Sequence, residues 1–163
     1  MIMLQNTNAV ASQTPPESFL DNARVSMRPD GQKQLVAVRD LPAGATVAHF
    51  EGPVVKWNDV PLEEIQYALL VRDSDWLLPR TSARFLDHSC DPNCRINEGL
   101  DVVTTQSVMA GDHLTISYNT LTLEEYSRSP RHYFWDPRWS FDCRCGQLGC
   151  VGRLDGYRIV SKS

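Results

Sequence analysis

Arg84-Phe-Leu-Asp87-His88-Ser89-Cys90-Asp91-Pro92-Asn93-Cys94 is the stretch with the most chemistry per residue in this 163-residue chain. Asp, Ser and Asn side chains bond readily to nearby backbone, and Pro92 fixes a φ angle, so the run reads as a tight Asx-rich turn. The same residues also allow a Cys/His nucleophilic dyad. That second reading is weaker, because neighbours in sequence rarely face one another and Cys90 has a competing use.

The competing use lies about fifty residues downstream, at Cys143-Arg-Cys145-Gly-Gln-Leu-Gly-Cys150. Five cysteines in all, with no secretory signal at the N-terminus, argue against a disulfide framework. Three thiols in eight residues, with Gly146 and Gly149 freeing the backbone to wrap, have the spacing of a zinc knuckle short of one ligand. Cys90 or Cys94 can supply the fourth. Four thiolates leave no open position for water, so such a site is structural.

Around these clusters the pattern is mostly β. Leu35 to Val38 is a short apolar run closed by the turn phrase Asp40-Leu-Pro-Ala-Gly44, and Thr46 to Phe50 and Pro53 to Trp57 follow, split by Gly52. A similar turn phrase, Val108-Met-Ala-Gly111-Asp112, precedes His113-Leu-Thr-Ile-Ser-Tyr118, whose alternation puts Leu114, Ile116 and Tyr118 on one face. Asp101 to Ser107 is the expected hairpin partner of that strand. A short helix is expected over Pro61 to Val71, capped by Asp59, with Leu62, Ile65 and Leu69 inward. A second covers Leu123 to Ser127.

Composition sets the outer bounds. The chain is 42% hydrophobic and 22% charged, ordinary globular usage for one domain. No apolar run approaches the ~20 residues of a membrane span. Sixteen Lys+Arg against twenty Asp+Glu give a net charge of −4, the wrong balance for a phosphate-backbone binder, so no direct nucleic-acid binding is expected. The expected location is intracellular and cytoplasmic, or the nucleus in a eukaryote.

The central stretch, the phrase Gly111-Asp-His-Leu-Thr-Ile-Ser-Tyr118 and the tail Phe141-Asp-Cys-Arg-Cys-Gly…Cys150-x-Gly152 together resemble, in order and separation, the three signatures of a SET domain with its post-SET tail. The resemblance covers about residues 25 to 157. It implies a fold of several small curved β-sheets around a pseudoknot, with few short helices and a C-terminal zinc-binding segment. The implied division is a tail at 1–18, a SET domain at 19–127 and a post-SET segment at 128–163. It further implies S-adenosylmethionine as cofactor, one structural zinc ion on Cys90, Cys143, Cys145 and Cys150, and transfer of methyl groups to a lysine side chain. Tyr118 then takes the catalytic position. Gln34, Arg84, Phe85, Asp87 and His88 fall at cofactor-binding positions, and Phe50, Ile116 and Trp135 at the substrate channel. Tyr133, Phe134 and Trp139 are further candidates to line the channel or cap the cofactor.

Several positions depart from the family pattern. Gln32 and Gln34 stand where the family usually has Gly-x-Gly, so the backbone there carries side chains that glycine would not place between it and the cofactor. Asp87 replaces an asparagine, and its carboxylate can still accept from the cofactor's ammonium. Phe50 replaces a tyrosine, and Ile116 an aromatic residue. The functions consistent with this pattern are a methyltransferase acting on a protein or peptide lysine (a histone tail among them), a SET protein acting on a small metabolite, and a non-catalytic binding module.

Overall fold

The computed structural model describes residues 2–3, 21–72, 75–128 and 135–160. Strands of two to five residues build six small sheets. Prolines and glycines spaced every few residues, such as Pro42, Gly44, Gly52, Pro53, Pro61, Pro79 and Pro92, keep each strand short. Ala23–Met27 and Lys33–Ala37 form a hairpin. Thr46–His49, Asp101–Thr104 and Cys94–Ile96 make a three-stranded antiparallel sheet. The four-stranded sheet runs Ile2–Met3, Leu69–Arg72, Asp75–Leu77, Val54–Lys56. The chain leaving its inner strand Asp75–Leu77 is pressed against Gly52, where a Cβ would come within 2.0 Å of the Leu78 carbonyl oxygen.

The sheet containing Leu69–Arg72 separates two apolar cores. Leu69, Val71 and Leu77 join the larger one with Leu35, Val47, Phe50, Leu86, Val102, Leu114 and Ile116. Ala68, Leu70 and Trp76 face the smaller one with Ile65, Leu78 and Trp139. A strand buried on both faces reads as a continuous apolar run, which is why Ala68-Leu-Leu-Val71 looks helical from sequence. The expected helix over 61–71 is instead a 3-10 turn, Leu62–Tyr67, running into that strand. Leu62, expected to face inward, is 74% exposed, and Asp59 does not cap the turn, which starts after Pro61. The second helix is present as Leu123–Arg128.

The expected hairpin between 101–107 and 113–118 does not form. Asp101–Thr104 is already paired on both edges. Thr115–Ile116 pairs in parallel with Asp87–His88. The two turn phrases explain the rerouting: Leu41 and Val108 exchange both backbone hydrogen bonds, at 2.9 and 3.0 Å, so the second phrase is spent on the first.

Residues 111–116 consequently run between two walls. On one side Gly111 N–H donates to the Ala37 carbonyl, Ala37 N–H to Asp112, and Leu114 N–H to Leu35, at 2.8 to 2.9 Å. On the other, the Asn93 side chain acts like a strand residue. Its Nδ2 donates to the His113 carbonyl and its Oδ1 accepts from Thr115 N–H, both at 2.9 Å. Each such bond to a part-buried group contributes about 1 kcal/mol, and leaving its partner unsatisfied costs more. Asn93→Ala should therefore destabilise the fold by about 2–3 kcal/mol in urea denaturation; a loss below 0.5 kcal/mol would show that the walls hold without it.

Candidate active site and thiol cluster

The parallel pair of strands delivers Asp87, His88 and Tyr118 to one place. Ser89 N–H donates to the Ile116 carbonyl at 3.0 Å, extending the ladder by one rung. The next rung is made by a side chain: Tyr118 N–H donates to His88 Nδ1 at 3.1 Å. His88 is therefore an acceptor at Nδ1, with its hydrogen on Nε2 beside the Cys90 sulfur. Burial first, and then the positive field of Arg158, lowers its pKa to about 4, so the ring is neutral at ordinary pH. The Tyr118 hydroxyl turns back to donate to the Leu86 carbonyl. Burial, followed by the negative fields of Asp87 and Tyr67, pushes that hydroxyl well above the usual phenol range.

Two cavities meet at Tyr118. One, of about 910 Å³, is polar and is lined by Arg28, Asp30, His88, Asn93, His113 and Cys143, among others. The other, of about 740 Å³, is lined by Lys33, Tyr67, Arg84, Phe85, Arg138 and others. Gln32, Asp87, Tyr118 and Phe141 belong to both and form the shared wall. Phe141 lies edge-on to both His88 and Tyr118, with ring centres 6.2 and 6.1 Å away.

Of the residues expected to hold a cofactor, Arg84 and Phe85 line the second cavity, His88 the first and Asp87 both. The Arg84 guanidinium lies 4.4 Å over the Tyr67 ring and bonds Glu64 at 3.2 Å. Gln34 lines neither; it sits within its hairpin strand opposite Ser26, and its neighbours Gln32 and Lys33 reach the cavities instead. Phe50 and Ile116 are fully buried in the larger core and also line neither. Trp135 packs edge-on against Trp139 and Tyr157 and donates its Nε1 hydrogen to Ser140 Oγ at 2.9 Å. Trp139 reaches the second cavity, while Tyr133 and Phe134 lie outside the described residues. Sequence reasoning passes over Arg28, His113 and Tyr67, and assigns no role to Phe141. Only the last carries a usable signal, its place two residues before Cys143.

Cys90, Cys143, Cys145 and Cys150 converge with all four sulfurs within 4.8 Å of one another. The Cys90–Cys143 separation is 3.8 Å, the edge of a tetrahedron whose metal–sulfur bonds are about 2.3 Å. Burial pushes the Cys143 thiol up to about 12. Burial acts in the same sense on Cys145, but N–H groups of Cys90 and Gln147 and the neighbouring thiols pull it down to about 6. Without a cation the cluster cannot hold several thiolates at once, and a divalent soft metal such as zinc matches both the spacing and the donor set. Cys94, the other candidate, is buried in the larger core away from this group.

Comparisons with known proteins place the family and the fold. The SET domain model matches residues 32–119. That is more than half of the chain, which therefore belongs to the SET domain family. The mouse protein "Histone-lysine N-methyltransferase SETD2" is 24% identical over a 180-residue alignment that takes in 93% of this chain and 7% of that protein. A Cryptococcus neoformans "Histone-lysine N-methyltransferase, H3 lysine-36 specific" is 28% identical over 141 residues, 75% of this chain and 15% of that one. The chain thus spans a small fraction of the curated relatives it matches. Among solved structures, KRYPTONITE in complex with mCHH DNA, an H3(1-15) peptide and SAH superposes with a TM-score of 0.60. It is 21% identical and covers 82% of this chain and 29% of that one. The mostly β fold expected from the signatures is the one observed.

If the four thiols form one metal site, Cys145→Ser should lose the single tightly bound zinc that the intact protein carries, read by elemental analysis after dialysis against a weak chelator. Cys94→Ala should keep it. Zinc retained by Cys145→Ser would overturn the ligand set.

Proposed function

We propose that the protein is an S-adenosylmethionine-dependent methyltransferase acting on lysine side chains of a protein or peptide. The observation that supports it most directly is the position of Tyr118: it stands in the wall common to two cavities, with its hydroxyl anchored on the Leu86 carbonyl.

S-adenosylmethionine, when bound, supplies a methyl group on a sulfonium that is open to in-line attack by an amine. The residues present suit its parts. Lys33 and Arg84 offer cations for a carboxylate in the second cavity, with Tyr67, Phe85 and Phe141 offering aromatic faces to a sulfonium. His88 and Phe141 offer flat surfaces for a purine beside the thiol cluster. The cofactor positions thus extend through both cavities, joined at Asp87. Gln32 occupies the shared wall at a position where the family usually has glycine, and the chain meets the cavity there through its side chain.

What the chain itself must do is align and shield. Tyr118 cannot serve as the base: its hydroxyl is held in the neutral form and its hydrogen is spent on Leu86. His88 cannot either, because Nδ1 already accepts from the backbone. The lysine must therefore lose its proton to water before or during entry. Tyr118 orients, with its oxygen lone pairs and the Leu86 carbonyl polarising the reacting groups.

The relatives point toward a histone lysine, with H3 the first candidate, and a nuclear location would follow in a eukaryote; they lend no support to a cytoplasmic one. No helix among the described residues is long and apolar enough to cross a membrane. The discriminating assay combines zinc-replete protein and S-adenosylmethionine with a pool of histones and ribosomal proteins, reading methyl-mass additions on lysine by mass spectrometry. Tyr118→Phe should lower turnover about a hundredfold while cofactor affinity stays within about threefold. Full turnover in Tyr118→Phe, or cofactor consumption without lysine methylation, would remove this reading. The rate should climb roughly a hundredfold between pH 7 and 9 as the substrate lysine, with an ordinary pKa of about 10.4, gives up its proton; because burial raises the Tyr118 pKa, its protonated form persists and no fall follows by pH 10. A descending limb below pH 10 would mean that Tyr118 ionises in the active complex.

A further inference from the structure

Asp87, the acid that stands in place of the family's asparagine, is held by Arg28 and approached by His113. Arg28 Nη1 donates to its Oδ2 at 3.0 Å. His113 Nε2 lies 3.0 Å from the same oxygen but without the alignment of a hydrogen bond. Oδ1 carries neither contact. Arg28 leaves the end of the first hairpin strand, and Asp30 steadies its guanidinium through Nε and Nη2, at 3.3 and 3.0 Å. Arg28 N–H donates to the Gln32 carbonyl at 2.8 Å, fixing the turn that aims the side chain. The Arg28 and Asp87 side chains are each 28% exposed, so solvent screens their attraction only in part.

The pair matters because of where it sits. Asp87 is in the wall shared by the two cavities and follows Leu86, whose carbonyl takes the Tyr118 hydroxyl. An asparagine there would bring one neutral acceptor. An aspartate brings a full charge and a carboxylate free to rotate toward any cation. A planar guanidinium bonded to two acids at once removes that freedom, which a lysine's single rotating ammonium does poorly. We infer that Arg28 is a positioning residue: it occupies Asp87 Oδ2, so that Oδ1 is presented as the acceptor for the ammonium group of the methyl donor. This rests on the cofactor reading above.

The test measures binding by calorimetry on the full zinc-loaded chain, with two ligands. S-adenosylhomocysteine carries the ammonium; 5′-methylthioadenosine has the same nucleoside and thioether without the amino-acid end. Arg28→Met should weaken S-adenosylhomocysteine about tenfold, roughly the value of one charge-assisted hydrogen bond. It should change 5′-methylthioadenosine less than twofold, and Arg28→Lys should recover part of the loss. In an Asp87→Asn background, Arg28→Met should cost less than twofold. Equal losses for both ligands, an equal loss in both backgrounds, or no loss at all would overturn the clamp while leaving the cofactor reading intact. Failure of the unaltered protein to bind S-adenosylhomocysteine would instead overturn that reading, and the clamp with it.

Discussion

Buried backbone N–H and C=O groups must find partners, and residues 111–116 find theirs on both sides at once. The first hairpin closes one side through Leu35 and Ala37, and Asn93 with the strand Asp87–His88 closes the other. Most of what is functional hangs on that arrangement. It sets Tyr118 beside His88, turns its hydroxyl onto Leu86, and carries Cys90 to the point where the C-terminal thiols arrive. The phrase that leads into this segment is itself tied to the turn at 40–44, so its direction of entry is set before it meets either wall.

The two cavities follow from the same geometry. A short strand pair brings few side chains to any one place, and here it brings Asp87 and Tyr118 to a wall that two hollows share. Closure comes from the tail: Phe141 lies against both rings, and Trp139 belongs to the smaller core as well as to the second cavity. The thiol cluster joins that tail to Cys90 across more than fifty residues of chain. A metal there would act on the site through Phe141, without touching the reacting atoms.

Local chemistry was legible in the sequence, and pairing was not. Cys143, Cys145 and Cys150 announce a thiol cluster because thiol spacing is a property of one short segment, and their sulfurs do converge with that of Cys90. The alternation of Leu114, Ile116 and Tyr118 correctly turns all three to one side, the first two inside the larger core and the third packed against it. The apolar run at 68–71 misleads, since burial on both faces erases the period that separates strand from helix. The hairpin assigned to 101–118 fails for a related reason: adjacency in sequence is a fair guide to pairing only when no other segment competes for the same edges. Arg28 could not be found from sequence, as its partner lies 59 residues away and a lone arginine in a turn has no pattern. Gln34 and Gln32 show the limit of carrying positions across by motif, because which of the two reaches the cavity depends on the strand's register.

The parallel pairing of Thr115–Ile116 with Asp87–His88 also has a kinetic consequence. Its two strands join only by closing a loop of the intervening chain, which includes residues 94–104 of another sheet. Loop closure of that kind is an entropic cost that arrives ahead of its reward. The pocket around Tyr118 is built on that parallel pair, so its assembly carries the closure cost while the two-residue strands supply few ladder hydrogen bonds in return. Because Leu114 and Ile116 of the same segment also belong to the larger core, with Tyr118 packed against it, a change that loosens that core is transmitted directly to the reacting centre.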